Sequence, residues 1–297
     1  MYHYVKPKNF KYPYFNFLNL DVFRRQLDYF AETQGFISKK DFFESIDNNI
    51  NPKGFVLTFD DGLKDHFKYV LPELAKRNLW GIFYVSSDAY KTRKLLDVHR
   101  IQYLKGKFGA TKILKDLINM IDDHMLDHHT IENFDKEIYL DPSYNNNEKK
   151  LRRMLNYYIS YKYRSSILDD LMIKYFDEDS LYDQVYSNIE ELKKIKDNGH
   201  IIGSHAMSHK VLSRLSFKDQ EDEIKKSFEF LVNNFESKPP FSFCYPYGYK
   251  SSYNTDTLSI LKSNNIHNAV VFDNKAQGPN MKRLELSRLD CNQFMDV

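Results

Sequence analysis

Apolar residues recur along this chain in two registers. Short runs rich in β-branched and aromatic residues, Phe55 to Phe59, Gly81 to Val85, His200 to Gly203, Phe241 to Tyr245 and Ala269 to Phe272, read as buried strands. Between them, spacings of three and four predict amphipathic helices. Phe23, Leu27 and Phe30 mark a helix from Asp21 to Thr33 behind Asn19 as cap, and Ile224, Phe228, Leu231 and Phe235 mark one behind Ser216 and Asp219 that Pro239-Pro240 stops. Further helices are predicted at Lys40 to Ile46, His66 to Arg77, Ile189 to Lys196 and Asp256 to Ser263, with strands at residues 1 to 5 and Leu284 to Leu289. Strands alternating with helices predict a parallel sheet or barrel whose active residues gather at strand C-termini.

One stretch breaks the alternation. From about Lys91 to Tyr186 the chain is rich in helix formers and charge, with apolar positions at Leu95, Leu96, Ile101, Leu104, Ile113, Leu117, Ile121, Leu151, Leu155 and Tyr158. It reads as a helical insertion at 91–186 within a single domain spanning 1–297. Leaving from the C-terminal end of a strand, it is expected over or beside the catalytic mouth, shaping which substrate enters. Its basic run Lys149 to Arg153, with tyrosines after it, reads as a solvated helix face, a carrier phosphate being the alternative. His124, His128 and His129 read as surface residues rather than a second metal cluster, and His99 is a weaker catalytic candidate still.

The run Phe-Val-Leu-Thr-Phe ends in Asp60, Asp61 and Gly62. Successive strand side chains point to opposite faces, so two adjacent carboxylates serve one site only where the strand is breaking into a turn, which glycine permits. Asp-Asp-Gly is also an ordinary turn signal. What adds weight is Gly203-Ser204-His205-Ala206-Met207-Ser208-His209, whose imidazoles four apart share a face if the segment turns helically. One carboxylate with two such histidines is a metal-site constellation.

These stretches resemble the polysaccharide deacetylases, the NodB-homology group of carbohydrate esterases, which share a Thr-Phe-Asp-Asp-Gly strand end and a later Gly-Ser-His-x-x-x-His segment. Phe243-Cys244-Tyr245-Pro246-Tyr247-Gly248 looks like a third family element, and Met1 to Val5 like the first strand. The resemblance covers residues 1 to about 90 and 187 to 297. It implies an α/β fold, a distorted, incompletely closed (β/α) barrel. It further implies a divalent ion, zinc by default, held by Asp61, His205 and His209, with Asp60 as base and the backbone N–H of Tyr247 at the oxyanion. On the residues alone, both aspartates could ligate metal or merely close a turn, and Tyr-Pro-Tyr-Gly is a common bend.

The sequence departs from the family pattern twice. The arginine that many members carry near the place of Cys244 is missing, and Arg288 is the candidate to supply that charge, a surface salt bridge being its alternative. The C-terminal histidine acid is missing too. His3, otherwise an ordinary strand histidine, is the candidate to replace it.

Composition narrows the partners. With 43 basic and 41 acidic residues the net charge is +2, which argues against a nucleic-acid-binding surface. Two cysteines, Cys244 and Cys291, are too few for a disulfide framework and read as small buried residues, near one another if the motif segments meet. No secretory signal or membrane-spanning run is evident, so a cytoplasmic location is expected. The expected reaction is metal-dependent removal of an N-acetyl or related acyl group from an amino sugar, as a nucleotide- or lipid-linked precursor of a surface polysaccharide, with peripheral contact at a membrane for the lipid-linked form. An amidase of a small non-sugar compound and a catalytically silent carbohydrate-binding protein are the alternatives. The sugar, the acyl group and the oligomeric state are not legible.

Overall fold

The computed structural model describes residues 1–8, 10–128, 131, 145–277 and 281–297. Among them the main sheet has five parallel strands in chain order: β3 (Leu57–Phe59), β4 (Gly81–Val85), β5 (Ile201–Ser204), β6 (Ser242–Cys244) and β7 (Asn268–Val270). A smaller parallel pair joins β1 (Val5–Lys6) to β2 (Leu18–Asn19). Strand order equal to chain order, with helices in the crossovers, gives the curled sheet of an incompletely closed (β/α) barrel.

The edges of that sheet approach each other through single bridges. Tyr2 pairs with Phe59 on one side and Leu286 with Val270 on the other. The Cys291 N–H donates to the Met1 carbonyl at 3.3 Å, so the last segment meets the first. Two expectations change here. Residues 1 to 5 are not one strand, because Tyr2 pairs with β3 while Val5 turns to β2. Leu284 to Leu289 is a turn, a bend and irregular chain with one bridge rather than a strand.

The helices lie close to their predicted spans, because caps and apolar stripes are local signals. Leu20–Thr33 is capped by the Asn19 side chain, and Ile189–Asp197 carries an Asn188/Glu191 capping box. Phe217–Phe235 starts behind Ser216, whose side chain accepts from the Asp219 N–H. The segment after β3 begins as a π-turn, His66–Val70, and continues as a helix, Leu71–Lys76. Phe59, Phe83 and Tyr2 stack in the core beneath the strand tips, with ring centroids 4.6 Å apart for Phe59 and Phe83 and 5.4 Å for Tyr2 and Phe59.

The chain divides into two compact units. One comprises Met1–Phe10, Phe17–Thr92 and Asp183–Val297; the other comprises Lys11–Asn16 and Arg93–Tyr182. The second unit is helical, with Asp97–Phe108, Ala110–Ile118, Asn146–Arg153 and Tyr161–Tyr175 burying Leu104, Ile113, Leu117, Leu151 and Leu168. Its buried cations are paired: Arg164 with Asp97 at 2.7 Å, Arg100 with Glu178 at 2.8 Å and Lys105 with Glu148 at 2.8 Å. Glu148 also accepts from Arg152 of the basic run. His99 is buried in this unit, His128 pairs with Asp123 at 3.3 Å, and His124 meets the Tyr163 ring. His129 lies outside the described residues. Among those described, these histidines form no metal-ligating group.

Glu73 ties the first helix to the one after β3, accepting from Arg24, Lys76 and Arg77. Burial opposes its ionisation, but the three cations outweigh that and bring its carboxyl down to about 2. A depressed folded value contributes stability that is present above the unfolded value of about 4.3 and lost as pH falls through about 2. The difference in unfolding free energy between the parent and Glu73→Gln should therefore be constant above about pH 5 and shrink between there and pH 2. Urea denaturation across that range measures it.

Candidate functional site

β3 ends at Phe59, so Asp60 and Asp61 stand just beyond the strand tip. Asp61 has φ 81° and Gly62 φ 64°, and it is this left-handed turn that lets both carboxylates serve one place. The Asp60 N–H donates to the Tyr2 carbonyl at 2.9 Å, which seats the turn on the N-terminal segment.

The histidines come from the loop after β5, and that loop is not helical: residues 205–210 are bends and coil, with Ala206 at φ 59° and His209 at φ 56°. The expected helical face is replaced by two left-handed residues that bring the rings to 4.7 Å, nearly perpendicular. His205 Nε2 and His209 Nε2 each lie 3.6 Å from Asp61 Oδ1. All three side chains are buried. The His205 Nδ1–H donates to the Cys244 carbonyl at 2.8 Å, which leaves the Nε2 lone pair directed at Asp61.

Separations of 3.6 Å are too long for hydrogen bonds. They approach the spacing of about 3.3 Å between ligands of one tetrahedral ion bound at about 2.0–2.1 Å. Two neutral imidazole nitrogens and a carboxylate oxygen are a donor set suited to zinc. Asp60, His205 and Cys244 also bring donor atoms within reach of one another. That second set is the poorer one. Asp60 already faces the Arg288 guanidinium, and burial pushes the Cys244 thiol well above its ordinary pKa.

Arg288 reaches this place from the closing segment. Its Nη1 donates to Asp60 Oδ1 at 2.8 Å and to Thr58 Oγ1 at 3.3 Å, its Nη2 approaches Cys244 Sγ at 3.1 Å, and its Nε approaches the Val271 carbonyl at 3.4 Å. Asp60 is 1% exposed, and burial alone would raise its pKa. The guanidinium wins, with help from His205 and His3, and holds the carboxyl well below the carboxylate range. Cys244 is therefore more than the small buried residue expected, since its sulfur also lies 3.6 Å from Asp60 Oδ2. Both cysteines are buried free thiols.

His3 Nε2 lies 3.8 Å from Asp60 Oδ2 and 4.0 Å from Asp61 Oδ2, with the side chain 41% exposed. The Tyr247 ring meets that of His209 at 5.0 Å, and Tyr247 has φ 63°. Gly248 follows at φ 72°, where an added Cβ would fall 2.8 Å from the Phe272 nitrogen, so this turn tolerates only glycine.

Glu223 was not among the expected residues. From the helix Phe217–Phe235 it accepts from the Met207 N–H at 3.0 Å, the Ser208 N–H at 2.8 Å and the Ser208 hydroxyl, gripping the loop between the two histidines. A signal was present: Gln220, Glu223 and Ser227 share the buried stripe with Ile224, Phe228 and Leu231, and a polar group there needs a partner.

Residues 180–269, which include both histidines and the Cys244 to Gly248 turn, match the family model for polysaccharide deacetylase. The chain is thus similar, over this part of its length, to the polysaccharide deacetylase family. Members of this family are hydrolases acting on C–N amide bonds. Among solved structures, the chain resembles the Streptococcus pyogenes deacetylase PplD in complex with acetate, with a TM-score of 0.56 and 17% identity over 97% of this chain and 88% of that one. A de-N-acetylase from Aggregatibacter actinomycetemcomitans superposes with a TM-score of 0.55 and 12% identity over 97% and 92%. IcaB from Ammonifex degensii gives 0.52 and 14% over 97% and 88%. At such identities the likeness is one of fold. No curated protein matches the sequence.

Removing the loop clamp should loosen the donor set without changing any of its donor side chains. If this donor set holds a divalent ion, Glu223→Ala is expected to weaken its binding by about 10- to 100-fold, as losses of groups that orient ligands do. Titration of the apo protein against a competing chelator measures it.

Proposed function

We propose that this protein is a metal-dependent de-N-acylase that hydrolyses the acetamide, or a related amide, of an amino sugar in a glycan. The observation that carries the reading is the convergence of Asp61, His205 and His209 beside a second buried carboxylate, Asp60, that Arg288 holds ionised. The similar structures, a deacetylase with acetate and a de-N-acetylase, support the reaction class. Nucleotide- and lipid-linked hexosamines are the substrate forms to assay alongside polymer. No helix among the described residues is long and apolar enough to cross a membrane.

Asp61, His205 and His209 would hold the divalent ion, zinc by default, which when bound supplies Lewis-acid polarisation and a lowered pKa for water. The roles of the remaining groups follow from position. Asp60 accepts a proton from the attacking water as its oxygen bonds to the acyl carbon. Ionised and deeply buried, it is available as a base at neutral pH, and Arg288 fixes its direction. The Tyr247 N–H, on a turn constrained by Pro246 and Gly248, donates to the developing oxyanion. His3, partly exposed and near both aspartates, delivers a proton to the sugar nitrogen as the C–N bond breaks. Water is consumed, one carboxylate and one protonated amine leave, and the proton taken up by Asp60 is passed on so that base and acid return to their starting states.

Acetate and free-amine release from acetylated hexosamine oligomers and precursors tests this. Asp60→Asn should retain stoichiometric zinc and lose at least about 100-fold in kcat, the range expected for a general base. His205→Ala should lose both zinc and turnover. Parental turnover in Asp60→Asn, or tight zinc without turnover on any amide, would overturn the proposal, the latter in favour of a binding protein.

A further inference from the structure

The turn that carries Asp60 and Asp61 leads directly into Asp65 and His66, and both of these reach back to the N-terminal segment. His66 Nε2 lies 2.9 Å from the His3 carbonyl. A carbonyl only accepts, so the imidazole carries its proton on Nε2 and donates it there. The ring is 1% exposed and packs edge-on against the stacked pair of Phe59 and Phe83, with centroids 5.5 and 5.8 Å away. Burial brings its pKa down to about 4, so it is neutral near pH 7. Beside it, Asp65 pairs with Lys6 Nζ at 3.0 Å, both groups buried.

His3 itself has no short contact with the aspartates, since 3.8 and 4.0 Å exceed hydrogen-bond range. Its direction is set through its backbone. On one side the Tyr2 N–H donates to the Thr58 carbonyl and the Asp60 N–H to the Tyr2 carbonyl, each at 2.9 Å. On the other, His66 holds its carbonyl.

We propose that His66 is a positioning residue for His3, its Nε2–H gripping the His3 carbonyl so that the imidazole stays over the Asp60–Asp61 pair. The turn bearing the base thereby also places the acid, and the distance between them is fixed within one stretch of chain. The proposal rests on the deacylase reading and on His3 as its acid.

A double-mutant comparison tests it, using the zinc-loaded full chain on acetylated hexosamine oligomer. His66→Leu removes the donor at similar volume, whereas the amide nitrogen of His66→Gln can reproduce Nε2. His66→Leu is expected to lower kcat about 10-fold, a part of the 10²- to 10⁴-fold that a general acid contributes. KM should stay within about twofold, with zinc content unchanged. His66→Gln should recover to within about threefold of the parent. In a His3→Ala background His66→Leu should change kcat by less than about twofold, because the residue it positions is gone. Parental turnover in His66→Leu, equal losses in the Leu and Gln variants, or an undiminished loss on His3→Ala would overturn the proposal. Should His66→Leu fail to fold, His66→Asn takes its place, its shorter amide being expected to run well below Gln. Asp60→Asn assayed alongside separates the two readings. If it turns over like the parent, the deacylase mechanism fails; if it is inactive while His66→Leu is unaffected, only the positioning proposal fails.

Discussion

A buried guanidinium beside a buried carboxylate is the interaction on which the rest of this site depends. Asp60 could not remain ionised at 1% exposure without a compensating charge, and Arg288 supplies it at 2.8 Å. The same group touches Thr58 on β3, Cys244 on β6 and Val271 just past β7. Arg288 thus spans the open side of the barrel, where the last segment pairs by a single bridge, and couples closure of the fold to the state of the carboxylate. Removing one partner of such a pair leaves the other charge buried and uncompensated, a loss of about 3–5 kcal/mol in comparable cases.

Around this pair the backbone is held in conformations that ordinary residues seldom take. Asp61, Ala206, His209 and Tyr247 all have positive φ, and all four lie in the turns that form the site. Each such residue costs of order 1–3 kcal/mol unless its surroundings enforce it. Here the enforcement is visible: Glu223 binds two successive N–H groups of the histidine loop, His205 is tethered to the Cys244 carbonyl, and the Asp60 N–H is tied to Tyr2. The strand tips deliver the groups, and hydrogen bonds from neighbouring elements keep them where they converge.

The two departures from the family's sequence pattern have a common physical form. In each, the candidate for a group absent at the usual place comes from a distant part of the chain. Arg288 comes from the closing segment to the slot beside Cys244, whose small side chain leaves room for a guanidinium. His3 comes from the first residues to the edge of the carboxylate pair. Both are brought there because Tyr2 pairs with the last residue of β3 and Leu286 with the last residue of β7, the sheet's two edges.

Taken by itself, the sequence determined the elements and much of the candidate site. Caps such as Asn19, Asn188 and Ser216, the helical stripes, and the alternation of strand and helix are local signals, and local signals survive without knowledge of the fold. Asp60-Asp61-Gly62 and the two histidines were legible as well, because their chemistry is written in adjacent residues. What only the tertiary structure decided is what depends on contacts between distant segments. The histidines meet through left-handed backbone rather than a helical face, and nothing in an HxxxH spacing distinguishes the two. The split of residues 1 to 5 between two sheets, the bridge in place of a closing strand, the sulfur of Cys244 against Arg288, and the grips of Glu223 and His66 all arise from packing. A side chain's partner across the core leaves no mark on its neighbours in the chain.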